Sequence, residues 1–355
     1  MLHFRVIRLF QILLLTLCLC APVRAESPRS RPLRPEDTPA LPAESESEGA
    51  EAATESEPAK ADSPELPAFE PQPVRDWLEA QVELSRRGFS CGSIDGLRGS
   101  QTAAALRAFQ RNEGLEETGE LDQPTRAALL LTAPALTQHT FGAEELAQIQ
   151  PVADTWLGKS EQSILYYSTP LELVAEHYRA SPKYLVRLNP DTNWENILPG
   201  VTVQVPAVGV ITPTTKASLL HVLLADHVLE ATDETGRIIA HFPVSIARNV
   251  EKRPVGELHI TVIIPNPNYT FDPEVFTESE EAKELGRKLI IPPGPNNPVG
   301  LAWIGLDRTG YGIHGTPEPE KVGRTESHGC FRLANWDALA LLRLAKVGLP
   351  VIVEP

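Results

Sequence analysis

The chain has 355 residues, enough for two or three domains, with 33 prolines, few aromatics and a formal net charge of −15. That balance argues against nucleic acid as a partner, because phosphate backbones call for a basic surface. The acidity by itself identifies no other partner.

Residues 1–25 have the layout of a secretory signal: Arg5 and Arg8 in a basic start, an apolar run from Leu9 to Leu19, and small residues around Val23-Arg24-Ala25. The run is short for a membrane span. Cys18 and Cys20 lie within it, each preceded by Leu where a lipid-attachment site wants a small residue, so cleavage after Ala25 is expected in preference to lipidation or an uncleaved anchor. Cleavage leaves Cys91 and Cys330, too few for a disulfide scaffold, and both are read as free thiols. No stable membrane span is expected after cleavage, and the mature protein is expected in the periplasm or cell envelope.

Residues 26–73 are Pro, Ala, Ser and Glu, with about twelve acids against four bases and almost no large apolar side chain. Such a segment buries too little surface to offset its ordering entropy and reads as a disordered tether. Order begins near Val74. Val74, Trp77, Leu78, Val82 and Leu84 have helical spacing and Gly88 stops the helix. A second helix starts at Ser100 as N-cap, with Thr102, Ala105, Leu106 and Phe109 on one face. Asp122 caps a third, running to about Leu131. Alone, this is a small three-helix bundle. The strings Gly92-x-Ile94-Asp95-Gly96 and Thr102-x-x-Ala105-Leu106-x-x-Phe109-Gln110 resemble the peptidoglycan-binding domain 1 family over residues 74–131, which implies affinity for cell-wall peptide or glycan.

Residues 132–163 read as a Pro-interrupted connector without chemistry, with a short helix at Ala143–Ile149. Residues 164–207 read as strand, helix, helix, strand: a first strand near Leu165, helices at Leu171–Tyr178 and Pro182–Leu188, and a closing strand at Val201–Val205. Leu173-Val174-Ala175-x-x-Tyr178, Leu185-x-x-Leu188-Asn189-Pro190 and Leu198-Pro199-Gly200 resemble a LysM module, which implies binding of glycan containing N-acetylglucosamine. The module departs from the pattern at its start, where Ser168-Thr169-Pro170 replaces the usual Gly-Asp turn.

From residue 217 to 355 the texture is that of strands: Leu219–Leu224, Val228–Thr232, Arg237–Ser245, Gly256–Ile264 and Ala302–Leu306. No helix intervenes before Glu280, so an all-β sandwich or barrel is expected. Asn335 is expected to cap a helix from Trp336 to Lys346, and Val351–Val353 to return as a last strand. The insertion from Pro265 to Gly300 is long for a compact domain. Tyr269, Phe271 and Trp303 can line a peptide groove there, or the insertion is a rigid Pro-rich surface loop. Arg248, Lys252 and Arg253 can meet a carboxylate or stay solvated.

The chemistry concentrates in Ile313-His314-Gly315-Thr316 and Ser327-His328-Gly329-Cys330-Phe331-Arg332-Leu333. A thiol attacks as thiolate, and a neighbouring imidazole or oriented N–H groups lower its pKa. His314 is a candidate general base and His328 a local alternative. Gly315 and Gly329 leave backbone uncovered, so N–H groups around His328, Gly329 and Cys330 can receive an oxyanion. Competing readings are an inert buried cysteine and a zinc site of His314, His328 and Cys330, although no fourth ligand stands at ligand spacing and Cys-x-x-Cys is absent.

His-Gly-Thr, a loop, then Ser-His-Gly-Cys-x-Arg resembles the active-site signature of L,D-transpeptidases with a YkuD-type catalytic domain. Phe331 stands where that family more often has Ile or Val. The resemblance implies Cys330 as nucleophile, His314 as proton donor and acceptor, and Gly315 as the carbonyl that orients His314. It also implies His328 and Gly329 at the oxyanion site, with Ser327, Arg332, Tyr269 and Trp303 shaping the pocket. The activity implied is transfer of a stem-peptide acyl group, with a carbapenem-type β-lactam as expected inhibitor and no metal or other cofactor. Water in place of the amine acceptor makes a carboxypeptidase. A wall-binding protein that has lost catalysis is the reading from another class.

Overall fold

The computed structural model describes residues 69–209, 215–276, 279–325 and 329–355. The expected signal, nearly all of the segment expected to be a tether, and Ser327 and His328 lie outside the described residues. No helix among the described residues is long and apolar enough to cross a membrane.

Residues 69–131 form the three-helix unit. A two-residue strand, β1 (Gln72–Pro73), leads into α1 (Trp77–Arg86), where the Asp76 side chain accepts from the Glu79 N–H as an N-cap. Then come α2 (Ser100–Asn112) and α3 (Gln123–Ala128), the latter capped by Asp122, which accepts from the Thr125 N–H. The helix expected to reach Leu131 ends three residues earlier. Leu129 and Leu131 both point into the core with Val74, Leu84, Leu106 and Phe109, a period of two that suits a strand. Leu130–Leu131 (β2) accordingly pairs with β1.

The middle unit corrects the sequence reading. Leu165 lies outside every strand. The partner of the closing strand β4 (Thr202–Pro206) is β3 (Leu136–Thr140), antiparallel and in continuous register from Leu136↔Pro206 to Thr140↔Thr202. Residues 132–163 are therefore the opening of this unit rather than a connector, and they carry α4 (Ala143–Ala147) and α5 (Trp156–Glu161) ahead of α6 (Pro170–His177) and α7 (Pro182–Leu188). Leu-Thr-Gln-His-Thr is too polar to announce a strand, and its partner lies some sixty residues away. Leu165 is engaged elsewhere: its N–H donates to the Pro293 carbonyl and its own carbonyl accepts from the Asn296 N–H.

The C-terminal unit is strand-rich, as expected. Its strands are β5 (Leu219–Leu223), β6 (Val228–Thr232), β7 (Ile238–Pro243), β8 (Gly256–Pro265), β9 (Tyr269–Phe271), β10 (Leu289–Ile291), β11 (Ala302–Leu306), β12 (Gly312–His314), β13 (Phe331–Arg332) and β14 (Pro350–Glu354). Two helices accompany them, α8 (Glu280–Leu285) and α9 (Asn335–Leu344). Eight strands make one mixed sheet in the order β13-β12-β11-β8-β14-β5-β6-β7. Just beyond β7, Ser245 exchanges two backbone hydrogen bonds with Arg332 of β13, at 2.9 and 3.0 Å. The two edges thus meet and the sheet curls closed around Leu220, Phe242, Ile260, Ile304, Ile313, Phe331 and Val351, with Leu341 and Leu344 of α9 packed among them. Closure of this kind removes exposed edges.

Before that meeting point the β7 edge is covered by the helical unit. Phe89 bridges His241 in parallel register. The Asn112 side chain donates to the Ile238 carbonyl and accepts from its N–H. Ile238 itself belongs to the helical unit's core, so the two units share apolar packing.

Candidate active site

Strand register places the motif residues. β12 and β13 run parallel, with Ile313 opposite Phe331 and His314 opposite Arg332. Paired residues point to the same face and successive ones alternate. Ile313 and Phe331 are therefore directed into the core, where both are fully buried. His314 and Arg332 share the outer face, and Cys330 immediately precedes β13. β11 extends the row, since Trp303 is opposite His314 and also opposite Ile264 of β8.

His314 is buried, and its ring stacks on that of Trp303 with centroids 5.7 Å apart and planes 21° from parallel. Its Nδ1 lies 2.6 Å from the Gly315 carbonyl oxygen. A carbonyl only accepts, so Nδ1 carries the hydrogen and Nε2 of the neutral ring is left with its lone pair. Burial pushes the His314 pKa down to about 4, against the pull of the Gly315 carbonyl, and the Arg332 guanidinium pushes the same way as burial.

Cys330 is half-buried and not in a disulfide; Cys91 is likewise free, and buried. The Cys330 thiol donates to the Gly310 carbonyl at 3.5 Å. Burial pushes its pKa above the ordinary thiol value, with a backbone hydrogen bond at Gly312 pulling the other way. The expected lowering of the thiol pKa is therefore not seen: burial favours the neutral thiol at Cys330 as it favours the neutral imidazole at His314.

Tyr269 stands close enough for the Cys330 sulfur, after burial, to raise its phenol pKa. It lies in β9, which pairs with β10, so the insertion at Pro265–Gly300 contains a folded hairpin with a core of its own. Trp156 of α5 stacks on Phe271 at 4.4 Å between centroids. The region read as a connector without chemistry thus supports the hairpin that carries Tyr269. Trp156 was missed because nothing local distinguishes it.

The Arg332 side chain donates to the backbone carbonyl and hydroxyl of Thr325, which ties the loop before Cys330 to the strand after it. Among the described residues, a Cβ on Gly329 would meet nothing within 4 Å. Ser327 and His328 lie outside the described residues. Arg253 donates to the Ala247 carbonyl.

Gly312 and Gly315 are among the glycines required by close approach. A Cβ on Gly312 would stand 2.7 Å from the Trp303 ring, and one on Gly315 would stand 2.3 Å from Asn335 Oδ1. Asn335 was expected as a helix cap. It is the first residue of α9, fully buried, and makes no capping bond. Its Oδ1 instead accepts from the Leu301 N–H at 3.0 Å, and its Nδ2 donates to Glu176 Oε1 at 2.9 Å and the Pro295 carbonyl at 3.0 Å. A Gly315→Ala variant is expected to lose about 1–3 kcal/mol of stability through this overlap, measured as a lowered midpoint in thermal denaturation.

Residues 217–353 match the family described as L,D-transpeptidase catalytic domain, and residues 74–129 match a putative peptidoglycan binding domain. The chain is similar to the putative L,D-transpeptidase YkuD of Bacillus licheniformis, at 26% identity over 52% of this chain and 93% of that one. It is also similar to the putative L,D-transpeptidase YqjB of Bacillus subtilis, at 32% identity over 32% of this chain and 57% of that one. A solved structure, the L,D-transpeptidase from Xylanimonas cellulosilytica, aligns over 82% of this chain and 100% of that one at 14% identity, with a TM-score of 0.33. The C-terminal unit of this chain thus matches the L,D-transpeptidase catalytic domain family, and a unit that matches a putative peptidoglycan binding domain precedes it.

Proposed function

We propose that the protein is a secreted cell-wall L,D-transpeptidase that works through a Cys330 acyl-enzyme. The Cys330 sulfur attacks the carbonyl between the third residue of a tetrapeptide stem, a diamino acid, and the terminal D-Ala. As the S–C bond forms, the thiol proton passes to Nε2 of His314. The tetrahedral oxyanion is received by backbone N–H groups around His328, Gly329 and Cys330. Collapse breaks the C–N bond, and His314 returns the proton to the departing D-Ala amine. A side-chain amine of a second stem then attacks the thioester, loses a proton to His314 and leaves a 3-3 cross-link, and the thiol regains its proton.

The observation that carries this reading is the Nδ1 bond of His314 to the Gly315 carbonyl, because it leaves Nε2 free to accept a proton, on a strand paired with the one that Cys330 precedes. Tyr269, Trp303 and Arg332 are assigned to the stem-peptide groove. The peptidoglycan-binding unit and the LysM-like middle unit are assigned to wall glycan or peptide, in the cell envelope outside the inner membrane.

The test is mass spectrometry of the products formed from purified disaccharide-tetrapeptide, beside a Cys330→Ala control. A cross-linked dimer lacking one D-Ala, absent with the variant, is the expected result. Tripeptide alone identifies a carboxypeptidase with water as acceptor, and no product with either protein leaves a wall-binding protein.

A further inference from the structure

The middle unit touches the residue that packs behind His314 and Gly315. Glu176, near the end of α6, is buried at 7% exposure, and its Oε1 accepts from Asn335 Nδ2 at 2.9 Å and from the Tyr167 hydroxyl at 3.3 Å. Asn335 stands at the start of α9 in the catalytic unit. Because Nδ2 is drawn toward Glu176 and Pro295, Oδ1 is turned toward Leu301, whose N–H it binds, and lies against the backbone of Gly300 and Gly315. A Cβ on Gly300 would stand 1.9 Å from that oxygen, so its position tolerates almost no displacement. Gly315 in turn donates from its N–H to the Ala302 carbonyl and accepts from Nδ1 of His314. An unbroken series of contacts therefore runs from a carboxylate outside the catalytic domain to the tautomer of the histidine in its site.

We propose that Glu176 is a positioning residue of the transferase, holding the Asn335 amide in the orientation that fixes the Gly315 carbonyl and hence the Nδ1–H form of His314. The middle unit is then a structural part of the catalytic machine as well as a wall-binding module. Two further contacts give the same docking its rigidity. Glu172, one turn earlier on α6, accepts from Asn296 at 2.6 Å. Leu165 exchanges backbone bonds with the Pro293–Asn296 loop, which Gly294 allows to approach so closely that a Cβ there would lie 2.3 Å from the Leu165 carbonyl.

The inference rests on the transferase reading for its kinetic consequence, but not for its structural one. Full-length protein labelled with ¹⁵N-histidine reports the tautomer of His314 directly, the resonance being assigned by its loss in His314→Gln. Glu176→Leu, which fills the volume and removes the acceptor, is expected to convert the single Nδ1–H signature to a mixture of tautomers. It is expected to lower kcat on disaccharide-tetrapeptide about tenfold with KM unchanged within twofold. Glu176→Gln keeps an oxygen for Asn335 and Tyr167 and is expected to restore both.

An unchanged His314 signature in Glu176→Leu, with kcat within twofold of wild type, overturns the proposal and leaves Glu176 as an inter-unit contact only. Should Glu176→Leu fail to fold, Glu176→Ala removes the same acceptor of the Asn335 amide without adding a branched side chain. An unaltered His314 signature there, with kcat within twofold of wild type, overturns the proposal equally. If wild type yields no product while the His314 signature responds to Glu176→Leu, the positioning stands and the assigned reaction falls.

Discussion

A His314→Gln variant is expected to acylate at Cys330 with a carbapenem about 10²- to 10⁴-fold more slowly than wild type at pH 7, with the deficit shrinking as pH rises toward 10. Attack by the Cys330 thiol leads to the ring-opened adduct, so the intact-protein mass increases by that of the whole inhibitor. The pH dependence follows from the two perturbed groups. His314, pushed by burial down to about 4, remains an unprotonated base through the neutral range. Cys330, pushed up by burial, holds its proton there. The wild-type rate therefore depends on proton transfer within the pair and is expected to stay nearly level from about pH 5 to 8, falling only as His314 protonates near 4.

Without the imidazole, the rate follows the free thiolate fraction and rises about tenfold per pH unit below the thiol pKa. Cys91 is buried with a thiol pKa pushed far up by burial, so the added mass reports on Cys330. A wild-type acid limb near 6.5, or an equal deficit at every pH, would overturn the neutral-pair account.

Local chemistry was the legible part of this site. His314, Gly315, Gly329, Cys330 and Arg332 stand in two short strings, and the strands that hold them have apolar residues at every second position. The curl of the sheet was less legible, because its closure rests on one bridge between Ser245 and Arg332, 87 positions apart. Asn335 was misread for a related reason. Before a helix an Asn has the composition of a cap, and only the fold reveals that Gly300 and Gly315 have crowded against it. Nothing in the sequence around Glu176 sets it apart from other helix carboxylates, and Trp156 lies in the stretch read as a connector. Both acquire their roles from contacts across more than one hundred positions, with Asn335 and with Phe271, to which periodicity and spacing are blind.

The remaining large effect concerns stability, and it arises from two buried carboxyls at the junctions between units. Glu176 meets the catalytic unit through Asn335, and Asp337 accepts from Ser90 of the helical unit at 2.9 Å. Burial pushes their pKa values up to about 8 and about 7. Glu176 faces Glu172 on its own helix and Tyr167, and Glu318, Glu320 and Lys321 border the adjoining cavity; Asp337 faces the Arg179 guanidinium. A carboxyl with a raised folded pKa binds protons in the native state that the unfolded chain has released. Its contribution is fully present below the unfolded value, near 4, and is lost as pH rises through the folded one.

His314 and His177, both lowered by burial, act in the opposite sense below about 6.5, where the unfolded chain takes up their protons. Between about 6.5 and 8 the two carboxyls are the shifted groups, among those described, that change charge. Over that window they are expected to reduce stability by about 2–3 kcal/mol. For a unit of this size that corresponds to roughly 4–12 °C in Tm. In the double variant Glu176→Gln, Asp337→Asn the midpoint is expected to be nearly level from pH 6.5 to 8 and to lie above wild type at pH 8. A wild-type slope that persists unchanged in the double variant would assign the pH dependence to other groups and remove the basis for both buried charges. The same variant separates charge from hydrogen bonding at Glu176, since the Gln retains the acceptor for Asn335. Levelled stability with unaltered turnover is the combination expected if Glu176 positions His314 through its oxygen rather than through its charge.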